Sequence, residues 1–137
     1  MRALVTGGAG FIGSHVAEAL VARGDEVHVL DNLTTGRRKN VPAGARLHEG
    51  DVRADTDSAF DEVRPDACFH LAAQANVRVS VEDPTYDAEV NVLGTLRVLE
   101  AARRYGTKVV FASTGGAIYG ECDGPADEQS ERRPLAP

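Results

Sequence analysis

The chain has 137 residues, 42% hydrophobic and 26% charged, which suffices for one domain with its own core. Its net charge of -6 argues against nucleic acid as a general partner, because such binders carry a basic footprint. No apolar run approaches the roughly 18 residues that span a membrane, and glycine interrupts the N-terminal run too early for a signal peptide, so a cytoplasmic protein is expected.

Strand and helix alternate from the first residues. Arg2 to Thr6 reads as a strand through the run Ala3-Leu4-Val5. Phe11 to Arg23 reads as a helix with Ile12, Val16, Ala19 and Leu20 along its inward face and Gly24 as its stop. Glu26 to Leu30 is a second strand, closed by Asp31. Residues 33–44 read as a loop with at most a short helical turn. Ala45 to His48 is a weaker strand, and Asp55 to Val63 a short helix stopped before Pro65. Ala67 to Leu71 is a buried strand in which Cys68 reads as a free core thiol. Residues 72–83 are irregular or a short helix. Pro84 opens a long helix to about Tyr105, with Val92, Leu96, Leu99 and Arg103 facing inward and Gly106 as its end. Lys108 to Ser113 is the fifth strand, and residues 114–137 read as loop. Five strands separated by helices imply one α/β domain over residues 1–137, a Rossmann-like doubly wound parallel sheet of strand order 3-2-1-4-5.

Gly8-x-Gly10-x-x-Gly13 fits the dinucleotide fingerprint and stands where it must, after a strand and opening a helix. The loop from Gly7 through Gly10, Phe11 and Ile12 to Gly13 is therefore read as a pyrophosphate cradle, with the helix N-terminus facing the phosphates. Asp31 lies 18 residues after Gly13, at the end of the second strand. A carboxylate there can accept from the ribose hydroxyls and repel a 2′-phosphate, which favours NAD over NADP. Arg37 and Arg38 weigh a little the other way. His70 reads as a satisfied core histidine. His15, His28 and His48 are scattered, and with no Cys-x-x-Cys the sequence offers no metal site.

Several segments together resemble the extended short-chain dehydrogenase/reductases, in their NAD-dependent epimerase/dehydratase branch. Thr6-Gly7-Gly8-Ala9-Gly10-Phe11-Ile12-Gly13 resembles the family's opening motif. Asp31-Asn32-Leu33 with Gly36 is similar to the adenosine-binding segment of UDP-glucose 4-epimerases. Asp51 and Val52 resemble the adenine contact after strand three, the carboxylate accepting from the amino group and the Val52 N–H donating to the ring. Leu71-Ala72-Ala73-Gln74 resembles the segment beside the cofactor. Asn91-Val92-Leu93-Gly94-Thr95 resembles a helix motif whose asparagine supports the active site, although a backbone-satisfied asparagine reads equally well from the residues alone. Ser113-Thr114 resembles the end of strand five, where a hydroxyl meets the sugar's reacting oxygen. Counting forward from Phe111 selects Thr114, and counting back from Tyr119 lands on Gly115, so Thr114 is preferred with Ser113 second.

The resemblance implies NAD as cofactor, a UDP-sugar as substrate, and epimerisation at C4 through a transient 4-keto sugar. It also implies pairing of two copies through helices of the sheet. The family's acid–base pair is Tyr-x-x-x-Lys, which is absent: Tyr86, Tyr105 and Tyr119 are followed at the fourth place by Val90, Val109 and Asp123. The expectation is an N-terminal portion of a longer enzyme, with the sheet incomplete at its C-terminal side. Gly115 and Gly116 stand where related dehydratases carry acids, which favours epimerisation. A non-catalytic NAD-binding sensor, or a related dehydratase or reductase, remains the alternative.

Overall fold

The computed structural model describes residues 1–114, 118–121 and 124–133. Five strands, β1 (Arg2–Thr6), β2 (Glu26–Asp31), β3 (Ala45–Glu49), β4 (Ala67–His70) and β5 (Lys108–Phe111), pair in parallel in the order β3-β2-β1-β4-β5. The expected order and class are thus observed. Helices α1 (Phe11–Ala22) and α2 (Thr56–Val63) make two of the crossovers. The β4–β5 crossover holds α3 (Val77–Glu82), α4 (Pro84–Ala88), a π-helical stretch (Glu89–Gly94) and α5 (Thr95–Tyr105). Residues 33–44 contain only a short 3-10 turn, Arg38–Asn40. No helix among the described residues is long and apolar enough to cross a membrane.

Both faces of the sheet are covered over β1, β2 and β4, which explains the buried apolar runs of β1 and β4, whereas Val110 and Phe111 of the edge strand β5 are exposed. Ala3, Val5, Val27 and Val29 pack with Ala17 and Leu20 of α1. Leu4, Leu30 and Cys68 pack on the other face with Phe60 of α2 and with Val98, Ala101 and Ala102 of α5. Cys68 is fully buried, as expected, and burial pushes its thiol up to about 12.

Two helix faces differ from expectation. α1 buries Gly13, Ala17 and Leu20, whereas Ile12 and Ala19 are exposed. Close docking fixes that face, since a Cβ on Gly13 would lie 2.2 Å from the Gly7 carbonyl oxygen. In the long helix the expected stripe is outward: Val92, Leu96 and Leu99 are exposed, and Val90, Gly94, Val98, Ala101 and Ala102 are buried. The two stripes are offset by two residues, roughly 200° around a helix, and both are apolar, so periodicity alone does not choose between them. β5 also ends at Phe111, two residues before the expected Ser113, because its ladder with β4 runs out at His70. Finally, His28 and His48 are not scattered. Their rings meet across β2 and β3, with Nδ1 and Nε2 2.8 Å apart, flanked by Glu26 and Glu62.

Candidate functional site

The sheet order reverses between β1 and β4, and the crevice at such a switch point is where open α/β sheets bind ligands. Here it is a cleft of about 600 Å³ along the carboxyl ends of the strands. The loop after β1 forms its middle. Gly7 adopts φ +69, in the left-handed region, and a Cβ there would lie 2.7 Å from the backbone N of Ala72. The Gly7 N–H donates to the Leu30 carbonyl at 2.8 Å, and the Gly10 N–H to the Gly7 carbonyl at 3.1 Å. Gly10 occupies the N-cap of α1, with no side-chain cap and no acidic residue in the first turn. The first N–H groups of α1 are therefore left for an external acceptor, and the helix dipole favours an anion there.

Asp31 closes one end of the cleft and is 8% exposed. Its Oδ2 accepts from the Ala9 N–H at 2.9 Å, and its Oδ1 from the Leu33 N–H at 2.8 Å. Each carboxylate oxygen retains a lone pair, which matches the two hydroxyls of a ribose. The same bonds fix the glycine loop and hold Leu33 at φ 58. Gly36 packs behind the carboxylate, where a Cβ would lie 2.8 Å from Asp31 Oδ1. Arg38 is engaged by Glu49, and Arg37 lines a separate cleft beside α1. Neither arginine lines the Asp31 cleft itself, although the cleft lined by Arg37 adjoins it and shares Gly10 and Thr35.

Asp51, beyond β3, is more occupied than its sequence role suggests. Its Oδ1 accepts from the Arg53 N–H and Nε, and its Oδ2 from Arg53 Nη2 and from Asn32 Nδ2 at 2.9 Å. The Arg53 hydrogen bonds hold its carboxyl down to about 2 against desolvation, with Asn32 adding to the effect. Arg53 also reaches Glu89, and its guanidinium lies 5.1 Å from the centroid of the Tyr86 ring. Any further partner of Asp51 must share it with Arg53. Val52 lines the cleft beside it.

Leu71, Ala72, Ala73 and Gln74 form the opposite wall, immediately after β4. A continuous hydrogen-bond chain sets their backbone. The Leu71 and Ala72 N–H groups both donate to Thr6 Oγ1 at 3.2 Å. That leaves the Thr6 hydroxyl proton for His70 Nδ1, 2.6 Å away. Nε2 of His70 then carries the proton and donates to Thr95 Oγ1 at 3.0 Å, and Thr95 donates to the Asn91 carbonyl at 2.7 Å. His70 is thus a satisfied, neutral core histidine, and burial lowers its pKa to about 4. Asn91 lies in the π-helical stretch, a geometry common at functional sites. Its side chain clamps the Gln74 backbone, accepting from the N–H and donating to the carbonyl, both at 2.8 Å.

Gly7, Gly10, Asp31, Asn32, Asp51, Val52 and residues 71–74 thus share one cleft. Gly13, Leu33, Gly36 and Asn91 support it from behind. Phe11 and Ile12 are 79% and 63% exposed and contribute no side chain to its walls. Ser113 and Thr114 are exposed beyond β5, at the same edge of the sheet but outside the cleft walls. Gly115, Gly116 and Cys122 lie outside the described residues. Sequence reasoning missed Asp87, a buried carboxylate that accepts from both Gln74 and Asn91; its only signal was its place four residues before Asn91.

The chain is 45% identical to the UDP-glucose 4-epimerase of Mycolicibacterium smegmatis, over 100% of this chain and 45% of the relative. It is 35% identical to the CDP-paratose 2-epimerase of Salmonella typhi, over 97% of this chain and 42% of the relative. Among solved structures, the Thermus thermophilus UDP-glucose 4-epimerase in complex with NAD superposes with a TM-score of 0.94 at 58% identity, covering 99% of this chain and 45% of that one. The chain therefore spans less than half the length of these relatives. Residues 3–137 match the family model described as NAD dependent epimerase/dehydratase, and the chain belongs to that family.

Proposed function

We propose that the cleft holds NAD and that the chain forms the cofactor-binding part of a nucleotide-sugar epimerase, acting at C4 of a UDP-sugar of the UDP-glucose/UDP-galactose type. The observation that carries the reading is one continuous cleft with an uncapped helix N-terminus at its middle and the Asp31 carboxylate at its end. The residues fit the group. Gly10 leaves the backbone open to a pyrophosphate, Asp31 has lone pairs for the adenosine ribose, and Ala72 and Ala73 leave room for a flat ring. Asp51 and Val52 are placed for adenine, with Asp51 shared with Arg53.

When bound, NAD supplies a hydride acceptor, and later a donor, for the sugar carbon. The chain's own residues bind and orient. Asn91, Thr95, His70 and Thr6 fix the wall after β4 through hydrogen bonds that need no water. Thr114, or Ser113 beside it, offers a hydroxyl to the sugar oxygen at the carboxyl edge of β5. Deprotonation of the sugar hydroxyl requires a base, and none of the three tyrosines here has a lysine four residues on. Val92, Leu96 and Leu99 form an exposed apolar stripe on which a second copy of the protein would pack, and a cytoplasmic location belongs to the same reading.

The test is turnover of UDP-galactose by the whole enzyme of which this chain would form the cofactor-binding part, followed by proton NMR. The proposal expects UDP-glucose to accumulate to equilibrium without added reductant. A stable keto-sugar product would point to a dehydratase or reductase instead, and no change in any UDP-hexose would exclude the epimerase reading.

A further inference from the structure

Behind the wall of the cleft, against Gln74, lies a buried carboxylate that forms no ion pair among the described residues. Asp87, in the first turn of α4, is 6% exposed. Its Oδ1 accepts from Gln74 Nε2 at 2.7 Å and from Asn91 Nδ2 at 3.2 Å. The nearby arginines are committed elsewhere, Arg53 to Asp51 and Glu89 and Arg78 to Glu82. A buried carboxylate is costly unless opposite charge or hydrogen bonds compensate it, and two neutral amides do so only in part. An asparagine oxygen would accept from the same two amides, so bracing Gln74 and Asn91 does not by itself require the negative charge.

The place of Asp87 in the fold suggests what the charge serves. Asp31 ends β2 and Asp51 follows β3, on one side of the switch point. A dinucleotide laid across that point puts its other half on the β4 side, against Gln74. In NAD this half carries the pyridinium ring, positive when oxidised and neutral when reduced. We infer that Asp87 sets the redox preference of the cleft, its buried negative charge favouring the oxidised, cationic cofactor over the reduced one. The inference rests on reading this cleft as the NAD site. Unit charges about 10 Å apart in an effective dielectric of roughly 20 to 40 shift a binding ratio by about four- to fifteenfold.

Calorimetric titration of the protein with NAD and, separately, with NADH tests the inference. Asp87→Asn keeps an oxygen acceptor for both amides and removes the charge. It is expected to lower the ratio of the NADH to the NAD dissociation constant by about five- to tenfold, in keeping with that dielectric range. Asp87→Ser, smaller and neutral, carries the same expectation should the asparagine variant fail to fold, and Asp87→Glu should keep the wild-type ratio. Equal losses for both cofactors in the neutral variants would overturn the inference and leave Asp87 a purely bracing residue. An unchanged ratio would overturn it too. If the wild-type protein bound neither cofactor, the reading of the cleft itself would fall, an outcome distinct from a wild type that binds both and a variant that does not discriminate.

Discussion

Gly10→Ala should separate binding from folding. Gly10 has φ -76 and ψ 179, a backbone that any residue adopts. A Cβ built on it meets only the Gly7 carbonyl oxygen, at 3.2 Å, so the fold should lose about 1 kcal/mol or less. Gly13 is the internal contrast. Its Cβ would lie 2.2 Å from the Gly7 oxygen and 2.7 Å from Gly8 Cα, both backbone atoms. Gly13→Ala must displace the loop and should cost about 3 kcal/mol. Gly10 also lines the cleft, where a methyl would stand against an approaching pyrophosphate. A hundredfold loss of NAD affinity, about 2.7 kcal/mol, is expected for Gly10→Ala, and a larger one for Gly10→Val. The assay is denaturant unfolding with and without NAD. At NAD 100 times the wild-type Kd, the ligand should stabilise the wild type by about 2.7 kcal/mol and the variant by only about 0.4 kcal/mol. Equal NAD-induced stabilisation of the two proteins would refute the cradle assignment. An unliganded Gly10→Ala as unstable as Gly13→Ala would refute the separation.

The remaining predictions concern single groups. His70 titrates near 4 in the fold and near 6.5 unfolded, so the unfolded chain takes up the proton first as pH falls. Its contribution is present above pH 6.5 and is lost between 6.5 and 4, with about 2 kcal/mol gone by pH 5. Urea unfolding at pH 7 and pH 5 measures the loss, and His70→Gln should flatten it; an undiminished pH slope in the variant would contradict the assignment. Asp31→Ala strips the acceptor from the Ala9 and Leu33 N–H groups and should destabilise the fold by about 1–3 kcal/mol. The same variant should relax discrimination against NADP in a competition titration, and an unchanged NAD to NADP ratio would count against its ribose role. The Cys68 thiol, pushed up to about 12 by burial, should resist alkylation at pH 8 until the protein unfolds. Peptide mass spectrometry would report the modification, and rapid labelling of native Cys68 would contradict its burial.

The sheet was legible because parallel strands covered on both faces leave unbroken apolar runs between glycines, as in Ala3-Leu4-Val5. The glycine loop and Asp31 were legible through their spacing. The inward face of the long helix was not, because Leu96 and Leu99 mark one apolar stripe and Val98, Ala101 and Ala102 another. The π-helical stretch around Asn91 is equally invisible to a count based on 3.6 residues per turn. Asp31 was read for its ligand and not for its second task, holding the glycine loop through the Ala9 N–H. The spacing that marks Asp51 as an adenine acceptor does not show that Arg53, two residues on, folds back onto it. Asp87 showed only its place four residues before Asn91, since its other partner, Gln74, lies 13 residues away across a turn that only the fold closes.

The most direct test of the account is a crystal structure of the protein grown with NAD. The account predicts the adenosine ribose on Asp31, the pyrophosphate against the Gly10–Gly13 turn, and the nicotinamide half along Ala72 to Gln74. NAD seated in the separate cleft beside Arg37 and His15, or a glycine loop left clear of the phosphates, would contradict it.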